Sequence, residues 1–224
     1  MRLSLTIKKK LAKFELDVAL RLPKGCTGLV GHSGSGKSMT LRCIAGIETP
    51  DSGRIILNDP AFGERILFDR EAGIDLPPQK RRIGYLFQNY ALFENMTVAG
   101  NIACGLRAQG LPAVEIKART EDLIRRFRLQ GLENRHPRQL SGGEKQRVAL
   151  ARILAGEPEA ILLDEPLAAL DADLKEELIT EMKQVITDCD CPIILVSHNM
   201  AEIEALCGSC YRIAEGKITE KQEF

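Results

Sequence analysis

Eight residues near the amino terminus, Gly31-His32-Ser33-Gly34-Ser35-Gly36-Lys37-Ser38, have the spacing G-x-x-x-x-G-K-[ST]. Phosphate oxygens need many converging donors. Backbone N–H groups supply them where side chains stay out of the way, and Gly34 and Gly36 permit that close approach. A helix that follows would turn its positive amino-terminal end towards the phosphates. Lys37 can reach the β- and γ-phosphates, and the Ser38 hydroxyl can ligate Mg2+. The bland alternative is a Gly/Ser-rich turn, but a strand pattern before the loop and a helix pattern after it favour phosphate binding.

A second constellation is Ala160-Ile161-Leu162-Leu163-Asp164-Glu165. Four apolar residues followed by two acids predict a buried strand that delivers carboxylates at its carboxyl end, where ligands sit in open α/β sheets. Asp164 suits a Mg2+ shell, and Glu165 suits a general base that polarises an attacking water. Alone, such an ending could be a solvated strand terminus. The phosphate loop gives it weight. The third element is Leu140-Ser141-Gly142-Gly143-Glu144, followed by Lys145-Gln146-Arg147. Ser-Gly-Gly ahead of a helix is a second anion-binding terminus, with backbone donors and a hydroxyl. One nucleotide rarely needs two such sites in one domain. The inference is a composite site, with this loop of one subunit closing on the nucleotide held by another.

The elements that must position these residues follow from apolar periodicity. Leu3, Leu5 and Ile7, then Phe14, Leu16, Val18 and Leu20, alternate like two strands of a hairpin joined around residues 8–13. Pro23-Lys24-Gly25 reads as a turn, 27–30 as a short buried strand, and 39–45 as a helix stopped by Gly46. Strands are expected at 54–57 and 83–87, with a loop-rich stretch over 58–80. From 90 to 137 strand signals fade, and 115–127 is a charged amphipathic helix, which points to a helical insertion. Helix 143–154, strand 160–163, helix 172–187, strand 193–197 and helix 200–207 then alternate. This order predicts an α/β fold with a mostly parallel sheet covered on both faces.

Composition narrows the function classes. The chain has 224 residues, with 31 Lys plus Arg against 31 Asp plus Glu. A zero formal charge argues against nucleic acid as a main partner. No apolar run approaches the roughly 20 residues of a membrane-spanning helix, and the amino terminus lacks the apolar core of a signal peptide. Seven cysteines with no export signal point to reduced thiols. Cys189-x-Cys191 and Cys207-x-x-Cys210 raise zinc or a redox switch. Their spacing is no standard knuckle, and buried structural thiols are the preferred reading.

With these motifs in place, the sequence resembles the ATP-binding-cassette ATPases over essentially its whole length. The phosphate loop, the Leu140-Ser141-Gly142-Gly143-Glu144 signature and the Asp164-Glu165 pair stand in the family's order. So do Gln88 in the Q-loop position, Asp171 in the D-loop position and His198 in the switch-histidine position. The resemblance implies a P-loop NTPase core with an amino-terminal antiparallel hairpin and an inserted helical subdomain. It divides 1–224 into a nucleotide-binding core at 1–88 and 146–224 and a helical signature subdomain at 89–145. The cofactors implied are ATP and Mg2+. The nucleotide would lie on residues 31–39, Met39 included, and Mg2+ would be served by Ser38, Gln88 and, through water, Asp164. Glu165, His198 and Gln88 would act in hydrolysis, with Asp171 communicating across a head-to-tail homodimer. Ser141 and Gly143 would grip the γ-phosphate from the opposing subunit.

Gln88-Asn89-Tyr90-Ala91-Leu92-Phe93-Glu94-Asn95-Met96-Thr97-Val98 is similar to importer subunits serving sulfate, molybdate, polyamines and sugars. That likeness implies a transmembrane permease partner touching Leu92, Phe93 and Met96, and indirectly an extracytoplasmic solute-binding protein. It places the chain at the inner face of the cell membrane, in the cytoplasm. The stretch from Gly53 to Tyr85, together with Val98-Ala99-Gly100-Asn101-Ile102, resembles molybdate-importer ATPases in particular, so molybdate or tungstate is the expected cargo. Three departures stand out. No aromatic residue sits near Lys8 and Lys9, where many members stack adenine, and Phe14 comes later in the chain. Met39 replaces a usual hydroxyl residue, and Ala168-Ala169 precede Leu170-Asp171 where a serine is common. The chain is also expected to carry no carboxyl-terminal regulatory domain.

Overall fold

The computed structural model describes residues 2–59, 63–168 and 172–224. Its strands are β1 (Arg2–Lys10), β2 (Glu15–Leu22), β3 (Gly25–Val30), β4 (Ser52–Asp59), β5 (Gly63–Asp69), β6 (Ile74–Asp75), β7 (Ile83–Leu86), β8 (Ala160–Asp164), β9 (Pro192–Ser197), β10 (Ser209–Ala214) and β11 (Lys217–Glu223). Its helices are α1 (Lys37–Ala45), α2 (Pro78–Arg81), α3 (Val98–Ala108), α4 (Ala113–Arg126), α5 (Gly142–Ala155), α6 (Ala172–Asp188) and α7 (Met200–Leu206), with a 3-10 turn at Pro137–Gln139.

All strands join one sheet in the order β6-β5-β4-β1-β2-β11-β10-β3-β9-β8-β7. The half from β10 through β3, β9 and β8 to β7 is parallel. β8 and β9 are buried at every position, which is why they read as unbroken apolar runs: helices cover both faces of a parallel sheet. The other half, β6-β5-β4-β1-β2, is antiparallel. Its strand β1 alternates Leu3, Leu5 and Ile7 inward with polar residues outward.

Two expectations need correction. The sheet is mixed rather than mostly parallel, because the amino-terminal hairpin recruits β4, β5 and β6 into an antiparallel wing. The stretch 58–80 is not loop-rich: it carries β5, β6 and the single-turn α2. Charged Glu64, Arg65 and Asp69 on β5, which only the two-residue edge strand β6 flanks on one side, mask the strand signal. Helix starts are set by their caps. Thr97 caps α3 by accepting from the Gly100 N–H at 3.1 Å, and Ser141 caps α5. Between β7 and β8 the described elements are all helical.

Arg81 fixes the far end of α1. Its side chain is 0% exposed, and it donates to the carbonyls of Cys43 at 2.8 Å, Ile44 at 2.9 Å and Leu76 at 2.6 Å, and to Asp75 at 2.8 Å. A guanidinium on the last carbonyls satisfies groups the helix leaves unpaired and meets the negative end of its dipole. No described helix is long and apolar enough to cross a membrane.

Candidate functional site

β3, β9 and β8 are neighbours in the sheet and run parallel. Their carboxyl ends therefore open on one edge. β3 delivers the loop beginning at Gly31, β9 delivers His198, and β8 delivers Asp164 and then Glu165. This is the crevice position at which open α/β sheets bind ligands. Gly31, His32, Ser33, Glu165, His198 and Met200 share the walls of a cleft of about 610 Å³.

The phosphate loop is shaped for a ligand that touches backbone. Gly36 caps α1 with φ 110°, a left-handed conformation that favours glycine, and no side chain caps the helix. The first amides of α1 are therefore free for an anion. A Cβ on Gly31 would sit 2.2 Å from the Ile213 carbonyl oxygen, so only glycine fits there. The buried Ser35 hydroxyl has no protein partner, as expected of a group reserved for a phosphate oxygen. Lys37 is folded onto its own loop, donating to the carbonyls of Gly31 at 2.7 Å and His32 at 2.9 Å. Burial lowers its pKa, opposed by the carboxylates of Glu165 and Asp164. Gly34 and the exposed His32 and Ser33 complete the loop, while half-buried Met39 packs on the core cluster beneath the sheet.

Ser38 Oγ donates to Asp164 Oδ1 at 2.9 Å. That contact joins the two groups expected in a Mg2+ shell, and hydroxyl plus carboxylate is the hard-oxygen chemistry Mg2+ prefers. Glu165 has φ 48°, left-handed for a non-glycine residue. Such conformations cost of order 1–3 kcal/mol and cluster at functional sites. Its backbone N–H is held by the Val196 carbonyl at 3.0 Å, and its carboxylate lies 3.6 Å from His198 Nδ1. His198 itself is exposed. Beneath it, Ser197 Oγ donates to the buried Glu202 at 2.7 Å, and Lys175 reaches the same carboxylate at 3.2 Å.

The other expected residues lie apart. Gln88 is exposed in the turn after β7, and neither it nor residues 140–144 is among the described walls of the cleft. Ser141 and Glu144 form a reciprocal cap. The Ser141 N–H donates to Glu144 at 2.6 Å, and the Glu144 N–H donates to Ser141 Oγ at 3.3 Å. The Ser141 N–H holds the Glu144 carboxyl below its ordinary range. Ser141 thus uses an acceptor lone pair internally and keeps its O–H donor exposed, beside exposed Gly142. Gly143 is buried. Leu140 is buried in the hydrophobic cluster of α3 and α5, so its side chain is core and not an anion contact. Asp171 lies outside the described residues.

Sequence reading missed several residues. Phe14 reaches the phosphate loop despite its position late in the hairpin: its ring lies against Gly36 and Gly216. Tyr85 donates to Asp164 Oδ2 at 2.9 Å. Asn101, fully buried, organises the loop before α3. It accepts from the Phe93 N–H at 2.9 Å and donates to the carbonyls of Phe93, Met96 and Thr97 at 3.1–3.2 Å. Arg152 of α5 donates to the Tyr90 and Ala91 carbonyls at 3.0 and 2.8 Å and lies over the Phe93 ring at 5.2 Å. Phe93 is exposed, while Leu92 and Met96 are half-buried. Met96 also lines a mostly apolar groove of about 630 Å³ between α3 and α4.

Cys191, Cys207 and Cys210 are buried and Cys189 is half-buried. Cys207 meets Cys26 of β3, with the sulfurs 3.0 Å apart. Among the described residues no group of three His, Cys, Asp or Glu is arranged to hold a metal ion.

Comparison with known proteins shows the family. The family model described as ABC transporter matches residues 16–168. A molybdenum import ATP-binding protein, ModC, of Rhodospirillum rubrum is 40% identical over 216 residues, covering 96% of this chain and 56% of that protein. A sulfate/thiosulfate import ATP-binding protein, CysA, of Synechocystis is 41% identical over 205 residues, covering 91% and 55%. The chain thus spans little more than half the length of these relatives. A dimeric structure of a bacterial ABC transporter cassette superposes with TM-score 0.79 at 25% identity, covering 99% of this chain and 98% of that one. A dimeric structure of the same cassette in a post-hydrolysis state, bound to ADP and Pi, gives TM-score 0.78 at 26% identity over the same shares. With its phosphate loop, paired carboxylates and capped signature helix on this fold, the chain belongs to the ABC transporter family.

Proposed function

We propose that the protein is the ATP-binding and ATP-hydrolysing subunit of an importer, working as a head-to-tail homodimer against transmembrane permease subunits. The observation that carries this reading is the convergence of the Gly31 loop, Ser38, Asp164, Glu165 and His198 on one sheet edge. Mg2+ would supply charge neutralisation between phosphate oxygens. Gly31 to Met39 bind the phosphates through backbone amides, and Lys37 swings from its own loop carbonyls to them. Ser38 and Gln88 would hold the metal, with Asp164 serving it through water. Glu165 orients the attacking water and His198 faces the γ-phosphate. Most of the catalysis is positioning and charge stabilisation.

Ser141, Gly142 and Gly143 serve the nucleotide of the opposing subunit, a reading supported by their absence from the described walls of the cleft and by an exposed Ser141 hydroxyl that accepts from the Glu144 N–H. Glu144 holds that cap, and Asp171 speaks across the dimer. The proposed division is a nucleotide-binding core at 1–88 and 146–224 and a signature subdomain at 89–145. The segment of Leu92, Phe93 and Met96, with the groove beside Met96, faces the permease. The permease in turn meets a solute-binding protein. This arrangement places the chain peripherally on the inner face of the cell membrane.

Molybdate or tungstate is the proposed cargo, supported by the ModC relatives. Sulfate is the second reading, because the CysA relative of Synechocystis is 41% identical. Glu165→Gln tests the central claim. It should bind ATP, nearly stop hydrolysis and accumulate an ATP-bound dimer on size-exclusion chromatography. A monomeric variant with full turnover would sink the base assignment. Transport of molybdate, tungstate and sulfate by the assembled complex separates the cargoes.

A further inference from the structure

Tyr85 lies on β7, and in the parallel register it stands opposite Leu162 of β8. Asp164 is two residues beyond Leu162 on the same strand, so the three side chains share one sheet face. A phenol is long enough to span such a diagonal. It does so here: Tyr85 Oη donates to Asp164 Oδ2 at 2.9 Å, while Ser38 Oγ, arriving from α1, donates to Oδ1 at 2.9 Å. Each oxygen of the carboxylate therefore has one hydroxyl clamped to it. Rotation of the carboxylate would break both bonds. The ring also lies 4.3 Å, centroid to centroid, from that of Phe87, the residue before Gln88.

We propose that Tyr85 is a positioning residue for the nucleotide-bound Mg2+: its hydroxyl locks the Asp164 carboxylate in the orientation that accepts from the metal's water shell. The inference rests on the ATP and Mg2+ reading above. Groups that orient a metal's ligands commonly change metal affinity about ten- to a hundredfold when removed. Tyr85 reaches the metal only through Asp164, so its removal acts on metal affinity and leaves nucleotide contacts intact.

Mn2+ serves as the probe, with binding to the full chain plus ATP read by electron paramagnetic resonance. ATP binding in EDTA is measured alongside with a fluorescent analogue. Wild-type binding of ATP in EDTA, strengthened by Mn2+, supports the site reading itself; its absence defeats that reading independently of Tyr85. Tyr85→Phe should keep the metal-free ATP affinity and weaken Mn2+ binding about tenfold or more. Tyr85→Met, which also lacks the hydroxyl, should do the same and covers a failure of the first variant to fold. In an Asp164→Asn background, Tyr85→Phe should change Mn2+ binding less than twofold. Retention of wild-type Mn2+ affinity within twofold by either folded single variant overturns the proposal. So does an undiminished tenfold effect in the Asp164→Asn background, because Tyr85 would then act by another route.

Discussion

His198 Nδ1 lies 3.6 Å from the Glu165 carboxylate, although the two residues end different strands, β9 and β8. The pairing depends on the left-handed backbone of Glu165, which turns its side chain out of the line of β8. His198→Ala should lower kcat roughly a hundredfold to a thousandfold, the usual cost of one stabilising group at developing charge. ATP affinity should stay within a few fold. Steady-state phosphate release and equilibrium ATP binding check this together.

Asn101 satisfies four backbone groups of the loop at 93–97 from a fully buried position. Asn101→Leu keeps the branched heavy-atom outline and removes every side-chain bond. It should cost about 2–4 kcal/mol in urea unfolding, given about 1 kcal/mol or more per lost partner. Limited proteolysis should then cut first between Phe93 and Thr97. Permease co-purification should fall while ATP affinity of the isolated chain holds.

Ser141→Ala removes a helix cap worth about 1 kcal/mol. It should also impair hydrolysis without abolishing ATP binding by the monomer. Loss of monomer binding would refute the two-subunit site.

The cap carries its own pH dependence. The Glu144 carboxyl is held below its ordinary 4.5 by the Ser141 N–H. A depressed carboxyl stabilises the fold above the unfolded value and loses that contribution as pH falls through the folded one. The protection of the Ser141 amide, its exchange rate divided by the intrinsic rate at each pH, should therefore fall on acidification below about 4.5. In Glu144→Gln that acid limb should vanish.

Arg81→Leu leaves the carbonyls of Cys43, Ile44 and Leu76 without their donor. A loss of about 2–4 kcal/mol is expected, because buried acceptors are left unmade. Arg81→Lys should recover little of it, since an ammonium cannot span the same fork.

The parts of the site that depend on neighbours in sequence were legible in the residues alone. The glycine-rich loop, the apolar run ending at Asp164 and the helix start after Ser141 are local patterns of this kind. What escaped depends on pairing between distant strands. Tyr85 and Asp164 are 79 residues apart and meet only because β7 and β8 align in parallel. Phe14 looked too late in the chain because sequence spacing does not reveal how the hairpin tip folds back on Gly36. β5 and β6 were hidden by the charges along β5 and by the two-residue length of the edge strand β6. Leu140 carried a signature position yet belongs to the core, a distinction that only packing draws.

α5 has Ser141 at one end and Arg152 in its last turn. Its 14 residues make a rod of about 21 Å at 1.5 Å per residue. Arg152 grips the carbonyls of Tyr90 and Ala91 and stacks over Phe93. A rod this short does not bend appreciably, so Ser141 and the residues 90–93 held by Arg152 sit at the two ends of one rigid element. The bolt at Arg152 makes the helix a crank, with the stroke set by its length and the engagement set by two carbonyls and one ring.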